Sequence, residues 1–240
     1  MIFAAGLGTR LKPLTDTMPK ALVEVGGHPL LWHVVTRLKA AGFTRIVVNV
    51  HHFADQIIDY IEAQQHFGID IRISDERQLL LDTGGGIKHA RPLLDTASPI
   101  LIHNVDILSN VDLRSFYAHA QGDATLLVSQ RDTHRYLLFS PDDDHRLMGW
   151  TNIATGEVRS PYESLSPEAC DRYAFSGIHV FSPRLFSQMD SLPQRFGIMD
   201  FYLGQCAQRS IHGYVQTGLR LMDVGKMDTI AQAEQFLATL

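Results

Sequence analysis

Gly6 and Gly8 follow a short apolar run, Ile2 to Ala5, and precede Arg10, Lys12 and Lys20. Two glycines let backbone N–H groups approach an anion closely, and fixed cations then neutralise it. Such a turn suits the phosphates of a nucleoside triphosphate. It is not a P-loop, because no Gly-Lys-Ser/Thr closes it. It is not a full dinucleotide fingerprint either, because Leu11 stands where a third glycine belongs. Two aspartates answer the cations. Asp106 ends the apolar run Ile100-Leu101-Ile102-His103-Asn104-Val105, and Asp223 follows Leu219-Arg220-Leu221-Met222. Ligands of open α/β sheets gather at carboxyl ends of strands, and Mg²⁺ takes one or two carboxylates plus water and phosphate oxygens. The two aspartates lie far apart in the chain, so their order alone does not show that they meet. A third element is Asp82-Thr83-Gly84-Gly85-Gly86-Ile87 ahead of a helical pattern from Lys88 to Leu94. Three successive glycines are costly to order, which implies a backbone passing close to something flat or taking unusual dihedrals.

These residues need elements to hold them, and the pattern supplies an α/β alternation. Arg45 to Val50, Asp70 to Ser74, Pro99 to Asp106 and Ala124 to Ser129 read as strands rich in Ile, Val and Leu. Between them, Pro29 suits a first helical position, Leu30, Leu31, Val34, Val35 and Leu38 form an apolar stripe, and Gly42 fits the stop. Ala54 to Phe67 sets Ile57, Ile58 and Ile61 on one helical face. Near-continuous apolar strands separated by helices predict a Rossmann-like, mostly parallel central sheet covered on both faces. Beyond residue 129 a small β-rich excursion is expected. Tyr136 to Phe139 and Arg146 to Thr151 flank Pro141-Asp142-Asp143-Asp144, a solvated hairpin turn, and residues 155 to 172 show no period. Arg172 to Phe181 returns as a strand. Helices follow at Pro183 to Met189 and Asp200 to Gln208, and short strands at His212 to Gln216 and Arg220 to Val224. A last helix from Met227 buries Ile230, Ala233, Phe236 and Leu237.

At 240 residues the chain suits one domain, with 1–110 serving the nucleotide and 111–240 the sugar phosphate. A net charge of −5 argues against a general nucleic-acid binder, so cations for an anionic substrate must be placed locally. No apolar run approaches a membrane span, and Met1 leads into the first strand without a basic region or cleavage site. Cys170 and Cys206 share no metal or redox spacing. A cytoplasmic protein is expected, monomeric or a small homo-oligomer, with neither nucleic acid nor membrane as partner. So abrupt a start leaves room for native residues ahead of Met1. No spacing at His51-His52 demands zinc, and the two read as a solvated pair at a strand end, while His103 reads as a packed or hydrogen-bonded strand residue.

Taken whole, the first motif resembles the signature of the sugar-1-phosphate nucleotidylyltransferases. The matching positions are Ala4-Ala5-Gly6-x-Gly8-Thr9-Arg10-Leu11-x-Pro13-Leu14-Thr15, then Pro19-Lys20-x-Leu22. The resemblance implies nucleotidyl transfer from a nucleoside triphosphate to a sugar 1-phosphate, with Mg²⁺ as cofactor. It implies that Arg10 and Lys20 are the catalytic cations and that Asp106 and Asp223 hold the metal. Ala5, Gly6, Leu7, Gly8 and Thr9, with Thr83, Gly84 and Gly85, would bind the nucleotide, and Asn104, Ser176 and Gly177 would border the sugar phosphate. Val105 stands where the family usually has glycine, and Lys226 where threonine is common. The Thr83-Gly84-Gly85-Gly86-Ile87 version resembles the uridylyltransferases of cell-wall recycling that act on N-acetylmuramate 1-phosphate, which favours UTP. Alternatives are guanylyl or cytidylyl transfer to a heptose or mannose phosphate or to phosphocholine, and a non-catalytic regulatory subunit that binds a nucleotide sugar. The chain carries no hexapeptide β-helix pattern, so acetyl transfer is not expected.

Overall fold

A computed structural model of the protein describes residues 1–142 and 144–240. The first strand, β1 (Ile2–Phe3), runs into the glycine turn, and a small hairpin, β2 (Glu24–Val25) and β3 (His28–Pro29), leads to helix α1 (Leu30–Ala40). Then come β4 (Arg45–Val50), α2 (Ala54–Ala63), β5 (Asp70–Asp75), α3 (Asp82–Ala90), β6 (Ile100–Asn104), β7 (Ile107–Ser109) and α4 (Leu113–Ala118). The second half holds β8 (Ala124–Ser129), β9 (Arg135–Phe139), β10 (Leu147–Asn152), β11 (Glu157–Arg159) and β12 (Asp171–Phe181). It ends with α5 (Phe186–Met189), α6 (Ile198–Gln205), β13 (Ile211–Val215), β14 (Leu221–Asp223) and α7 (Asp228–Leu237).

The central sheet runs β11-β10-β9-β12-β6-β1-β4-β5, with β8 on β12 and β13 on β8. Strands β5, β4, β1 and β6 are mutually parallel, as the helical crossovers require, and β13 is parallel to β8. Strand β12 runs antiparallel against β6 and carries the sheet on into the β-rich extension. Alternation along the strands feeds two cores. Ile46, Val48 and Val50 face the layer of α1, α2 and α4, while Val47, Ile100 and Ile102 face that of α3, α5 and α6. The expected Rossmann-like α/β sheet with helices on both faces is thus present. No helix among the described residues is long and apolar enough to cross a membrane.

Several expected elements differ in detail. Helix α2 stops at Ala63, because Gln65, His66 and Phe67 all take positive φ angles. The aperiodic stretch after residue 155 contains a strand, β11, whose side chains are all exposed and so carry no hydrophobic period. In α7 only Ala233 is fully buried, with Ile230, Phe236 and Leu237 half-buried against the core. Of the expected hairpin turn, Asp142 accepts from Ser140 Oγ and Asp144 N, and Asp143 lies outside the described residues.

Two histidines are sealed in the sheet. Burial lowers the His103 imidazole to about 4 and that of His179 to about 3, and neither ring nitrogen of His179 has a partner. Both stay neutral in the native state while the unfolded chain binds protons below the ordinary value of 6.5. Stability is therefore lost as pH falls from 6.5 toward 4, at up to ~1.4 kcal/mol per pH unit for each ring. His179→Leu should flatten that decline and raise the urea midpoint at pH 5 more than at pH 7, since it also removes unsatisfied polar atoms.

Candidate active site

A cleft of about 410 Å³ opens at the carboxyl ends of β1, β4 and β6, and the glycine turn forms one wall. Gly8 takes φ +62°, and a Cβ there would come 2.9 Å from Thr15 Cγ2 and 3.0 Å from Lys20 Cβ. The Gly8 carbonyl accepts from Leu11 N (2.8 Å) and Thr15 Oγ1 (2.9 Å), so the buried Leu11 and Thr15 fix the turn from beneath. Gly6 and Gly8 line the cleft, and their amides meet no acceptor among the described residues. Unpaired donors at a left-handed turn form an anion-binding concavity.

Lys20 starts a short helical turn and is nearly buried. Its ammonium forms an ion pair with Asp106 and lies 4.0 Å from Asp223 Oδ1. The two aspartates are brought together by a two-stranded ribbon separate from the central sheet. β14 pairs antiparallel with β7, placing Asp223 opposite Ile107, and Val224 N donates to the Asp106 carbonyl at 2.9 Å. From α1, Arg37 pins this ribbon through Ser109 Oγ (3.2 Å) and the Val111 carbonyl (2.6 Å). Val105, in the place of a glycine, is accommodated as a buried residue in the turn just past β6, and its N–H donates to Phe3 O at 3.1 Å.

Asp223 Oδ1 is a buried acceptor without a hydrogen-bond partner. Burial and the charge of Asp106 push the Asp223 carboxyl above the usual carboxylate range, against Lys20, Arg10 and Arg131. Two carboxylates served by one ammonium, with one oxygen orphaned, suit a hard divalent cation. Gly225 makes room for this arrangement: a Cβ there would come 2.7 Å from Asp223 Oδ1 and 2.9 Å from Arg10 Nη2. Arg10 lines the cleft beside it.

The opposite wall carries a correction. The run 82–87 is not a loop before a helix; it is the first turns of α3 itself. A Cβ on Gly84 would collide with the Phe196 ring, and one on Gly85 with the Gln194 carbonyl. The amides of Gly84 and Gly85 donate to Phe196 O (2.9 and 3.1 Å), and Thr83 Oγ1 accepts from Ile198 N (2.9 Å). The glycines thus let segment 194–198 lie directly on the helix start. Thr83 lines the cleft, whereas Gly84 and Gly85 are buried behind it. Gly85→Ala should cost about 1–3 kcal/mol through overpacking, read as a lower urea midpoint.

Ala5, Thr9 and Asn104 also line the cleft. Ser176 and Gly177 do not line it. Ser176 is buried with an unpartnered Oγ, and a Cβ on Gly177 (φ +73°) would come 2.8 Å from Asn104 Nδ2, so Gly177 backs that asparagine. Leu7 is exposed at the tip of the turn. Sequence reasoning missed Asn49, Glu76 and Arg195, all cleft-lining. Arg195 sits in an aperiodic stretch with no signal to find it. Asn49 and Glu76, polar residues at or just beyond the ends of apolar strands, could have been found by the rule that singled out Asp106.

A model of the nucleotidyl transferase family matches residues 1–239. The chain is 51% identical to the N-acetylmuramate alpha-1-phosphate uridylyltransferase of Caulobacter vibrioides, over 99% of this chain and 96% of that protein. It is 34% identical to the enzyme of the same name from Neisseria meningitidis, over 98% and 96% of the two chains. Among solved structures it shares the fold of HddC from Yersinia pseudotuberculosis in complex with GMP-PN (TM-score 0.77, 24% identity, 98% and 97% covered). It also shares that of the inositol-1-phosphate CTP transferase from T. maritima (TM-score 0.78, 13% identity, 99% and 93% covered).

Proposed function

Because the chain belongs to the nucleotidyl transferase family, we propose that it moves a uridylyl group from UTP to N-acetylmuramate 1-phosphate. The enzyme class is nucleotidyltransferase, acting on a nucleoside triphosphate and a sugar 1-phosphate. Identity to the Caulobacter enzyme across nearly the whole chain supports the choice of donor and acceptor. The observation that carries the mechanism is the convergence of Lys20, Asp106 and Asp223 beside the glycine turn.

An anomeric phosphate oxygen, already ionised at neutral pH, attacks the α-phosphorus of the triphosphate. The bond to the bridging oxygen breaks as the new one forms, and pyrophosphate leaves with the electron pair. No general base is needed, so the protein's task is positioning and charge neutralisation. Arg10 and the free amides of Gly6 and Gly8 hold the β- and γ-phosphates. Lys20 holds the α-phosphate or the entering phosphate. Thr83 and the start of α3 flank the base, and Asn104, backed by Gly177, borders the sugar. Asp106 and Asp223 would hold Mg²⁺, which when bound neutralises charge on the phosphoryl oxygens. The free thiols of Cys170 and Cys206 accord with a reducing cytoplasm as the place of action.

The test is pyrophosphate release from UTP, GTP, CTP and dTTP, each against a panel of sugar 1-phosphates and phosphocholine. UTP with N-acetylmuramate 1-phosphate should give the highest kcat/KM, and pyrophosphate with the product should regenerate UTP. Faster guanylyl transfer to a mannose or heptose phosphate would overturn the substrate choice. Binding of a nucleotide sugar without pyrophosphate chemistry would overturn the catalytic role.

A further inference from the structure

Two of the cleft-lining side chains are each only 3% exposed, too enclosed to serve mainly as ligand contacts. Asn49, on β4, accepts through Oδ1 from Ala4 N (2.7 Å) and Ala5 N (3.3 Å), the amides where β1 enters the glycine turn. Its Nδ2 donates to Glu76 Oε1 at 2.8 Å. The other carboxylate oxygen, Oε2, accepts from Leu81 N (3.3 Å), the residue ahead of α3. The Glu76 backbone is fixed as well, donating to Val50 O (2.8 Å) and accepting from His51 Nδ1 (2.7 Å). Gly86 leaves the space the bridge needs, since a Cβ there would come 2.9 Å from Glu76 Oε1 and 3.2 Å from Asn49 Nδ2. One continuous chain of hydrogen bonds thus joins the turn on one side of the cleft to the helix start on the other.

We propose that Asn49 and Glu76 are positioning residues for the nucleotide, a buried bridge that fixes the separation and orientation of the two walls that grip it. The polarity of the bridge has one solution. A carboxylate offers acceptors to both donors that face it, Asn49 Nδ2 and Leu81 N. That forces Asn49 to aim Oδ1 at the two turn amides. Glutamine at position 76 offers one acceptor and one NH₂. Either Leu81 N then meets a donor, or Asn49 inverts and turns its own NH₂ against Ala4 and Ala5. In both cases the mismatch passes to a wall of the nucleotide site, while neither side chain hydrogen-bonds to Asn104, Ser176 or Gly177. The inference rests on the nucleotidyltransferase reading but not on the identity of the sugar.

The test compares Glu76→Gln, Asn49→Ala and the double variant with wild type. Steady-state kinetics is run for each substrate, and binding of the Mg²⁺ complexes of UTP, GTP, CTP and dTTP is measured by calorimetry. Glu76→Gln should lower kcat/KM for the triphosphate by roughly ten- to a hundredfold, the scale set by small misplacements of reacting groups. The sugar-phosphate KM should stay within about twofold, because the bridge does not reach that side. The double variant should lose no more than the worse single one, since both act through one bridge. Circular dichroism and thermal midpoints identify folded variants, and Asn49→Ala carries the test if Glu76→Gln fails to fold. Unchanged triphosphate parameters in a folded variant, multiplying losses, or an equal rise in the sugar-phosphate KM would overturn the proposal. Wild type that binds a triphosphate but rejects N-acetylmuramate 1-phosphate would sink the substrate reading and leave this inference measurable by binding.

Discussion

Lys20→Ala is expected to lower kcat by roughly a hundred- to thousandfold, the usual effect of deleting one fixed charge that neutralises a transition state. The ammonium pairs with the Asp106 carboxylate and lies 4.0 Å from Asp223 Oδ1, and among the described residues no other cation forms an ion pair with either aspartate. Arg10 lies against Gly225, where a Cβ would come 2.9 Å from its Nη2. The same substitution takes from two neighbouring carboxylates the one ammonium that pairs with both, and breaking such a partly buried arrangement is destabilising. The thermal midpoint of the variant should therefore drop in chelator and recover on adding a divalent cation. Far-UV circular dichroism should match wild type. Ordinary turnover in a folded Lys20→Ala protein would remove the assigned role.

Asp223→Asn should have the opposite signature in stability and a similar one in rate. Its carboxyl is already strained toward the protonated form by burial and by Asp106, so the neutral amide relieves a repulsion that wild type carries when no cation is bound. In chelator the thermal midpoint should be unchanged or higher, by up to about 2 °C for a chain of this size. Added Mg²⁺ should stabilise wild type by mass action and the variant far less. Turnover should fall at least a hundredfold, as expected when one of two metal-holding charges is lost. A variant less stable than wild type in chelator, yet active, would show that Asp223 serves the fold instead.

Much of this site was legible because its parts obey strong local rules. Thr15 and Leu11 stand where they do because the left-handed Gly8 turn is held by a hydroxyl and an apolar anchor beneath it, so that part of the string travels as one motif. Near-continuous burial gave β4 and β8 their residue bounds, since every side chain there is buried apart from the exposed Arg45. The pairing of Asp106 with Asp223 was different. It depends on β7 meeting β14, a three-residue register made across the width of the molecule, which no local period encodes. The glycine run was legible in kind but not in direction. A close approach was expected, and the neighbours turned out to be Phe196 and Gln194, from a stretch that carries no periodicity. For the same reason Arg195 was invisible.

The ribbon formed by β7 and β14 lies outside the central sheet, and the chain segment that supplies its second strand comes after all of that sheet's strands. Domains fold as synthesis proceeds from the N-terminus. A nascent polypeptide can therefore hold every strand of that sheet and still own a single aspartate of the pair. Competence arrives only when residues 221–223 have emerged and met β7, so a three-residue strand made after the whole sheet is the keystone of its chemistry.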